Sequence, residues 1–176
     1  GDDDEVRALV DIRPYTAADG DTVSHWWIAS DLTEAVTGTA LRPDHVLGVG
    51  GASATLASAT MRTPVNATLD LGTGSGIQAL HASLHSRAVT ATDISPRALS
   101  YARFNRQLNV PDARWDVRQG SLLEPVASEA FDLVVSNPPF VITVPGAPSF
   151  EYRDGGHGDT GSGGDGIVRT LISSVG

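Results

Sequence analysis

Two short runs of residues have the types and spacing to do chemistry. The first is Asp70-Leu71-Gly72-Thr73-Gly74-Ser75-Gly76, with Asp93 beyond it. Glycines let a backbone turn sharply and let a ligand approach it closely, because no Cβ stands in the way. A helix that starts directly after them offers unpaired N–H groups and a positive dipole end. A carboxylate at the end of the next strand can accept hydrogen bonds from both hydroxyls of a ribose. The set reads as a nucleoside site at the carboxyl edge of a sheet. The second run is Asn137-Pro138-Pro139-Phe140. The side-chain oxygen of Asn137 and the carbonyl of Pro138 can each accept one N–H bond. Two such acceptors would orient an amide or base amino nitrogen and push electron density onto it. Without that help its delocalised lone pair is a poor nucleophile. The prolines stiffen the turn and bring no competing N–H, and Phe140 can stack on a planar group and fix its face.

Other nucleotide readings fit less well. A dinucleotide fingerprint counted from Gly72 needs Gly or Ala where Ile77 stands. A P-loop needs Gly-Lys-Ser/Thr, and all 12 basic residues of the chain are arginine.

The elements that must position these runs alternate. Ala67–Leu71 is a short apolar run breaking into the glycine turn. Ile77, Leu80 and Leu84 fall at helical spacing up to Ser86. Ala88–Thr92 is β-prone. Ser95 offers an N-cap and Pro96 a helix start, for a helix through Leu99, Ala102 and Leu108 that stops near Asn109 and Pro111. Arg114–Val117 predicts a third strand. Phe131–Ser136 predicts a fourth, apolar on both faces as a buried parallel strand is. Strand, helix, strand, helix, strand, strand implies right-handed crossovers and an α/β, doubly wound sheet. Before it, residues 1–65 form an N-terminal lead-in. It holds His25-Trp26-Trp27-Ile28, read as a strand or core anchor, and a small-residue helix over Ala52–Met61. Residues 66–176 form the core region. Within it, Gly155–Gly166 reads as a mobile loop and Ile167–Val175 as a helix.

The Asp-x-Gly-x-Gly-x-Gly spacing resembles motif I of class I S-adenosylmethionine (SAM) methyltransferases, and the Asn-Pro-Pro-Phe run after the fourth strand resembles their motif IV. Asn137 through Pro145 is similar to the segment of HemK-type protein-glutamine N-methyltransferases of the release-factor kind. Tyr152-Arg153-Asp154-Gly155-Gly156 and Gly164-Asp165-Gly166 continue that likeness, which covers about residues 67–170. Arg42-Pro43-Asp44 resembles the family's lead-in only faintly. The resemblance implies a Rossmann-like methyltransferase fold and SAM as cofactor. It implies cofactor contacts at Asp70, Gly72, Thr73, Gly74, Gly76, Asp93, Ile94, Ser121, Leu122 and Asn137, and catalytic roles for Asn137, Pro138, Pro139 and Phe140. The implied reaction moves a methyl group from a positively charged sulfur to a planar nitrogen, by positioning and electrostatics rather than a strong base or a metal. A protein glutamine on a release-factor-like substrate is favoured.

Three departures bear on this. Phe140 stands where the glutamine enzymes have Tyr, and Asn-Pro-Pro-Phe is also the form in ribosomal RNA guanine and adenine N-methyltransferases, so ribosomal RNA is the runner-up substrate. Ser121 stands where an acidic residue is common, and its hydrogen bond to an adenine amino group is the weaker for it. A class I sheet has seven strands, and only four precede Asn137. The chain is therefore expected to be part of a larger protein, its sheet lacking the last strands. From this follows a reading of another class: a catalytically silent SAM-binding module acting through a partner subunit.

The 176 residues, 40% of them hydrophobic and 19% charged, have the composition of a globular domain with a core. With no cysteine, disulfides, thiolate metal sites and a cysteine nucleophile are excluded. A net charge of −9 argues against sequence-independent nucleic-acid binding, which needs basic surface. No apolar run is long enough for a membrane span, and the acidic start is unlike a secretory signal, so a cytoplasmic location is expected. Several other signals read structurally. His81 and His85 lack the Glu of a zinc-protease helix, since Ala82 follows His81, and read as helix surface. Gly48–Gly51 reads as a helix lead-in rather than a phosphate loop. Trp26 and Trp27 read as core. Arg97, Arg103, Arg106, Arg114 and Arg118 read as a solvated face. Asp154, Asp159 and Asp165 lack the spacing of a calcium loop.

Overall fold

The computed structural model describes residues 6–19, 22–138 and 166–174. Four parallel strands form the central sheet: β3 (Val65–Leu71), β4 (Ser86–Asp93), β5 (Trp115–Gln119) and β6 (Leu133–Ser136). Their spatial order is β5-β4-β3-β6. The chain thus steps outward from β3 through β4 to β5, then returns to the other side of β3 for β6. This reversal makes β3 and β6 a topological switch point, the place where open α/β sheets bind ligands beyond the carboxyl ends of their strands.

The crossover helices are α3 (Ile77–Ala82) and α4 (Pro96–Asn109). Helix α4 starts as its sequence dictates, with Pro96 in the first turn and the Ser95 hydroxyl accepting the Ala98 N–H at 3.2 Å. Ala79 and Ala82 of α3 pack on Val89 and Ala91 of β4. The opposite face of β3, through Leu69 and Leu71, packs on Val126 of a 3-10 turn (Glu124–Val126), with Leu123, Phe131 and Leu171 beside it. Leu171 lies on α5 (Gly166–Ser174), the helix expected in the tail. The sheet therefore carries structure on both faces. The glycine loop predicted over Gly155–Gly166 lies outside the described residues except for Gly166, which begins α5.

The lead-in holds a structure that periodicity did not reveal. An antiparallel hairpin of β1 (Asp11–Asp19) and β2 (Thr22–Ser30) packs over α3 and α4. Ala17, Trp26 and Ile28 form a core with Ile77 and Leu80. Side chains of α4 serve β2 as a partner strand would. Asn105 accepts the Ala29 N–H at 2.8 Å and donates to the Ala29 carbonyl at 2.9 Å. Asn109 does the same with Trp27, at 2.8 and 2.9 Å. Asn105 also donates to the Ser75 carbonyl at 2.8 Å, so one fully buried amide ties the hairpin to the glycine turn. A short helix α1 (Glu34–Thr37) follows, then α2 (Gly51–Ala59), capped by Gly50 as the Gly48–Gly51 lead-in predicts.

Three surface and core readings are corrected. His81 is not on a helix surface: it is 5% exposed, hydrogen-bonded to the Tyr15 hydroxyl at 3.0 Å and edge-on to Trp26. The unexpected hairpin is what covers it. The two tryptophans split, because neighbours on a strand point to opposite faces: Trp26 is buried and Trp27 is 54% exposed. The arginines are not simply a solvated face. Arg97 is bonded to Asp31, Arg106 reaches the Pro111 and Ala113 carbonyls, and Arg118 bridges Asp116 and Glu129.

Asp31, just after β2, joins the lead-in to the start of α4. It is paired with Arg97 and accepts the Tyr101 hydroxyl at 2.7 Å and the Val46 N–H at 2.9 Å. Burial opposes its ionisation, but these bonds outweigh it and hold the carboxyl well below the usual carboxylate range.

Candidate functional site

The strand registers decide which of the singled-out residues meet. Leu71 lies opposite Thr92 on one side and Ser136 on the other, and Asp93 lies opposite Gln119. The residues that follow each strand, Gly72, Ile94, Gly120 and Asn137, therefore gather at one carboxyl edge. Gly72 and Asn137 flank the switch point directly, and the Ser136 hydroxyl donates to the Leu71 carbonyl at 2.9 Å beneath them.

The glycine turn is bare backbone held from below. Gly72, Gly74 and Gly76 all have positive φ, at 72°, 55° and 87°. Among the described residues nothing lies within 4 Å of where a Cβ would stand on Gly72 or Gly74, which leaves that backbone accessible to a ligand. Gly76 is different: a Cβ there would meet the Ala102 Cα at 3.2 Å, so this glycine lets α3 and α4 approach each other. The N–H groups of Gly72 and Thr73 both donate to the Thr92 carbonyl at 2.9 Å, pinning the turn to the end of β4.

The two acidic residues do different work. Asp70 is 1% exposed and lies under the turn, where one carboxylate oxygen accepts the Thr73 hydroxyl at 2.6 Å and the Ala79 N–H at 3.0 Å. It shapes the loop and the start of α3. Burial pushes its carboxyl up to about 7; the Thr73 and Ala79 bonds pull it back, and Asp93 adds to the rise. Asp93 stands at the end of β4. It accepts the Gly74 N–H and the Ser95 N–H, each at 2.9 Å. These two backbone bonds, one on each carboxylate oxygen, orient the buried Asp93 side chain. Ile94 beside it is 60% exposed, an apolar surface at the mouth of the site.

Beyond β5, the Gly120 N–H donates to the Asp93 carbonyl at 3.1 Å, bringing Ser121 and Leu122 to the same edge. Leu122 has φ 48°, an unusual left-handed conformation for a side chain of its size. Ser121, Leu122, Leu123 and Glu124, with Thr170 and Leu171 of α5, line a cavity of about 260 Å³. A hollow of about 540 Å³ lies between Arg62, Asn66, His85 and Arg87 at the opposite, amino edge of the sheet, remote from these groups.

Asn137 and Pro138 are half-buried at the end of β6, while Pro139 and Phe140 lie outside the described residues. Two residues that motif reading did not single out connect to Asn137, one directly and one through it. Ser53, in the first turn of α2, has its hydroxyl 3.5 Å from the Asn137 amide nitrogen. Gln78, buried on α3, donates to the Ser53 carbonyl at 2.8 Å. Neither belongs to a local pattern; the only hint was the Gly50-Gly51 pair ahead of a helix. Among the described residues no group of His, Asp and Glu could hold a metal ion. No helix there is long and apolar enough to cross a membrane.

The chain matches the methyltransferase small domain family over residues 48–146. It is 48% identical over 77 residues to a release factor glutamine methyltransferase of Deinococcus radiodurans, a stretch covering 43% of this chain and 27% of that protein. It is 40% identical over 81 residues to a ribosomal protein uL3 glutamine methyltransferase of Bradyrhizobium diazoefficiens, covering 45% of this chain and 25% of the relative. The matched stretches thus span about a quarter of these relatives' lengths. Among solved structures, the T. thermophilus 16S rRNA N2 G1207 methyltransferase, in complex with AdoMet and guanosine, superposes with a TM-score of 0.55 at 19% identity. It covers 78% of this chain and 35% of that one. That likeness is one of fold: the parallel sheet is Rossmann-like, as the alternation of elements predicted.

Proposed function

The chain belongs to the methyltransferase small domain family, and from that membership we propose that it is a SAM-dependent N-methyltransferase acting on a planar nitrogen, the side-chain amide of a protein glutamine. The observation that carries this reading is the register of β3 and β6, which sets Asn137 beside the open turn at Gly72 across the switch point.

The residues present fit the cofactor. Gly72 and Gly74 offer backbone with no Cβ in the way, suited to its amino-acid part. Asp93, oriented by the Gly74 and Ser95 N–H groups, takes the ribose hydroxyls. Ile94, Ser121 and Leu122, which share that edge, would border the adenine. When bound, SAM supplies a methyl group carried on a positively charged sulfur. Asp70 and Thr73 shape the turn from beneath. The chain's own part in the reaction is to hold the accepting nitrogen in line. Asn137 Oδ1 and the Pro138 carbonyl each accept an N–H, and Phe140 stacks on the amide plane. Positioning of this kind removes much of the entropic barrier to a two-body step.

The glutamine assignment is supported by the relatives that carry that name and by the net charge of −9, which disfavours a polyphosphate partner. Phe140 in place of Tyr supports a second reading, methylation of a guanine or adenine amino group in ribosomal RNA.

The test is methyl transfer from labelled SAM to release factor and to ribosomal RNA, with and without Asn137→Ala. Transfer to release factor alone is expected. Asn137→Ala is expected to abolish it while S-adenosylhomocysteine (SAH) affinity, read by calorimetry, stays within a few-fold. Transfer to RNA alone would replace the substrate assignment. SAH binding without transfer to either would favour a silent module working through a partner subunit. No SAH binding by the folded chain would overturn the cofactor assignment.

A further inference from the structure

Asparagine has a weakness as a methyl-acceptor clamp. Its carbonyl oxygen and its amide nitrogen have nearly the same shape. Turned one way, the side chain offers an acceptor to an incoming N–H. Turned the other way, it presents N–H to N–H and repels the substrate. Something must hold the amide in the useful orientation, and the two acceptors of the proposed site cannot do so themselves.

The lead-in supplies a candidate. The first turn of α2 lies against the end of β6, with the Ser53 hydroxyl oxygen 3.5 Å from Asn137 Nδ2. Ser53 is not loosely placed. Gln78, 5% exposed in the first turn of α3, donates to its backbone carbonyl at 2.8 Å. The chain of contacts therefore runs from α3, directly behind the glycine turn, through Ser53 to Asn137. It joins the two halves of the site along a route that neither motif contains.

We infer that Ser53 is a positioning residue for the accepting step: its hydroxyl, carried on a backbone that Gln78 anchors at the Ser53 carbonyl, takes the amide N–H of Asn137 and so turns Asn137 Oδ1 toward the nitrogen to be methylated. This rests on the reading that Asn137 orients that nitrogen. The logic is one of donor and acceptor counts. Once the substrate N–H occupies Oδ1, the Nδ2 protons need an acceptor, and a serine hydroxyl can be one. At 3.5 Å the contact is at the outer limit of hydrogen bonding, and contacts of this kind tighten when the reacting complex assembles. Without the hydroxyl, the flipped amide is no longer disfavoured, and a fraction of the enzyme meets its substrate with the wrong group.

The first test needs no turnover. In a 15N spectrum of the chain, the Asn137 side-chain NH2 pair is assigned as the one lost in Asn137→Ala. Ser53→Ala is expected to shift that pair and speed its hydrogen exchange, Ser53→Thr to leave it near its original position, and Gln78→Met to shift it less than Ser53→Ala. A pair unmoved by Ser53→Ala overturns the inference. The second test is kinetic, with release factor as acceptor. Ser53→Ala is expected to lower kcat about 3- to 30-fold at unchanged SAH affinity, with Ser53→Thr restoring most of it. An equal loss of SAH affinity would make Ser53 part of the cofactor pocket and overturn the inference. The two levels separate cleanly. If Asn137→Ala keeps the wild-type rate, the proposed role of Asn137 fails. If Asn137→Ala is inactive and Ser53→Ala is wild-type in rate and spectrum, the role of Ser53 alone fails.

Discussion

Replacing Asp70 by Asn isolates the energetic consequence of burying a carboxyl beneath the glycine turn. Asp70 is 1% exposed, and its environment raises its carboxyl to about 7 from an ordinary 3.8. The folded chain therefore holds that proton more tightly than the unfolded chain does. The stabilisation this gives is complete below about pH 4 and is lost as pH rises through about 7. A rise of about 3 pK units corresponds to about 4 kcal/mol between those limits, less whatever relaxation of the loop recovers. Asn has no charge to bury, and its carbonyl oxygen can still accept from Thr73 and Ala79. Asp70→Asn is therefore expected to gain stability relative to wild type as pH rises from 4.5 to 7.5, by about 2–4 kcal/mol. The assay is urea unfolding followed by tryptophan fluorescence at several pH values, without cofactor. Taking the difference between variant and wild type cancels the opposite pH dependence contributed by Asp31. SAH affinity is expected to stay within a few-fold, since Asp70 lies under the turn and not in its mouth. A difference in stability that is flat with pH, or that turns against Asn at high pH, would refute the argument that desolvation dominates at this carboxyl.

Three further outcomes follow from the geometry. Asp93→Ala is expected to weaken SAH binding by about 1–3 kcal/mol in calorimetry, through loss of charge-assisted hydrogen bonds. Asp31→Ala leaves the Arg97 guanidinium and the Tyr101 hydroxyl without their shared acceptor, and is expected to cost about 3–5 kcal/mol of stability in urea unfolding at pH 7. Because the folded Asp31 carboxyl is depressed, that contribution is present above about pH 4 and is lost as pH falls, so the variant and wild type should converge in acid. Gly76→Ala and Gly74→Ala should fail differently. The first is both left-handed and crowded by Ala102 and should lower the melting temperature, costing about 2 kcal/mol or more. The second meets no described residue within 4 Å and should cost about 1 kcal/mol in stability while weakening SAH binding at least as much, because its new Cβ stands where a ligand would approach.

The amino-acid sequence by itself determined the parallel core and the place of the site along it. The apolar runs at Ala67–Leu71 and Phe131–Ser136, the Ser95-Pro96 helix start and the glycine turn are local signals. Each follows from backbone freedom, capping or burial within a few residues, so each is readable without knowing what lies across from it. Even the gathering of Gly72, Asp93 and Asn137 at one edge follows from the alternation of strand and helix. What only the tertiary structure decided depends on partners far apart in the chain. Among the described strands the lead-in hairpin pairs with none of the central sheet; its β2 is bonded by the amides of Asn105 and Asn109, and nothing in residues 22–30 announces that. His81 looked like surface on its own helix and became core because Tyr15 and Trp26 cover it. Asp70 and Asp93 are both buried acidic residues at strand ends, and only their partners separate them: Asp70 accepts from Thr73 and Ala79 beneath the turn, Asp93 from the N–H groups of Gly74 and Ser95. The contact of Ser53 with Asn137 joins residues more than eighty positions apart. Spacing rules reach one turn of helix or one strand pair, whereas such a contact is fixed by how whole elements pack.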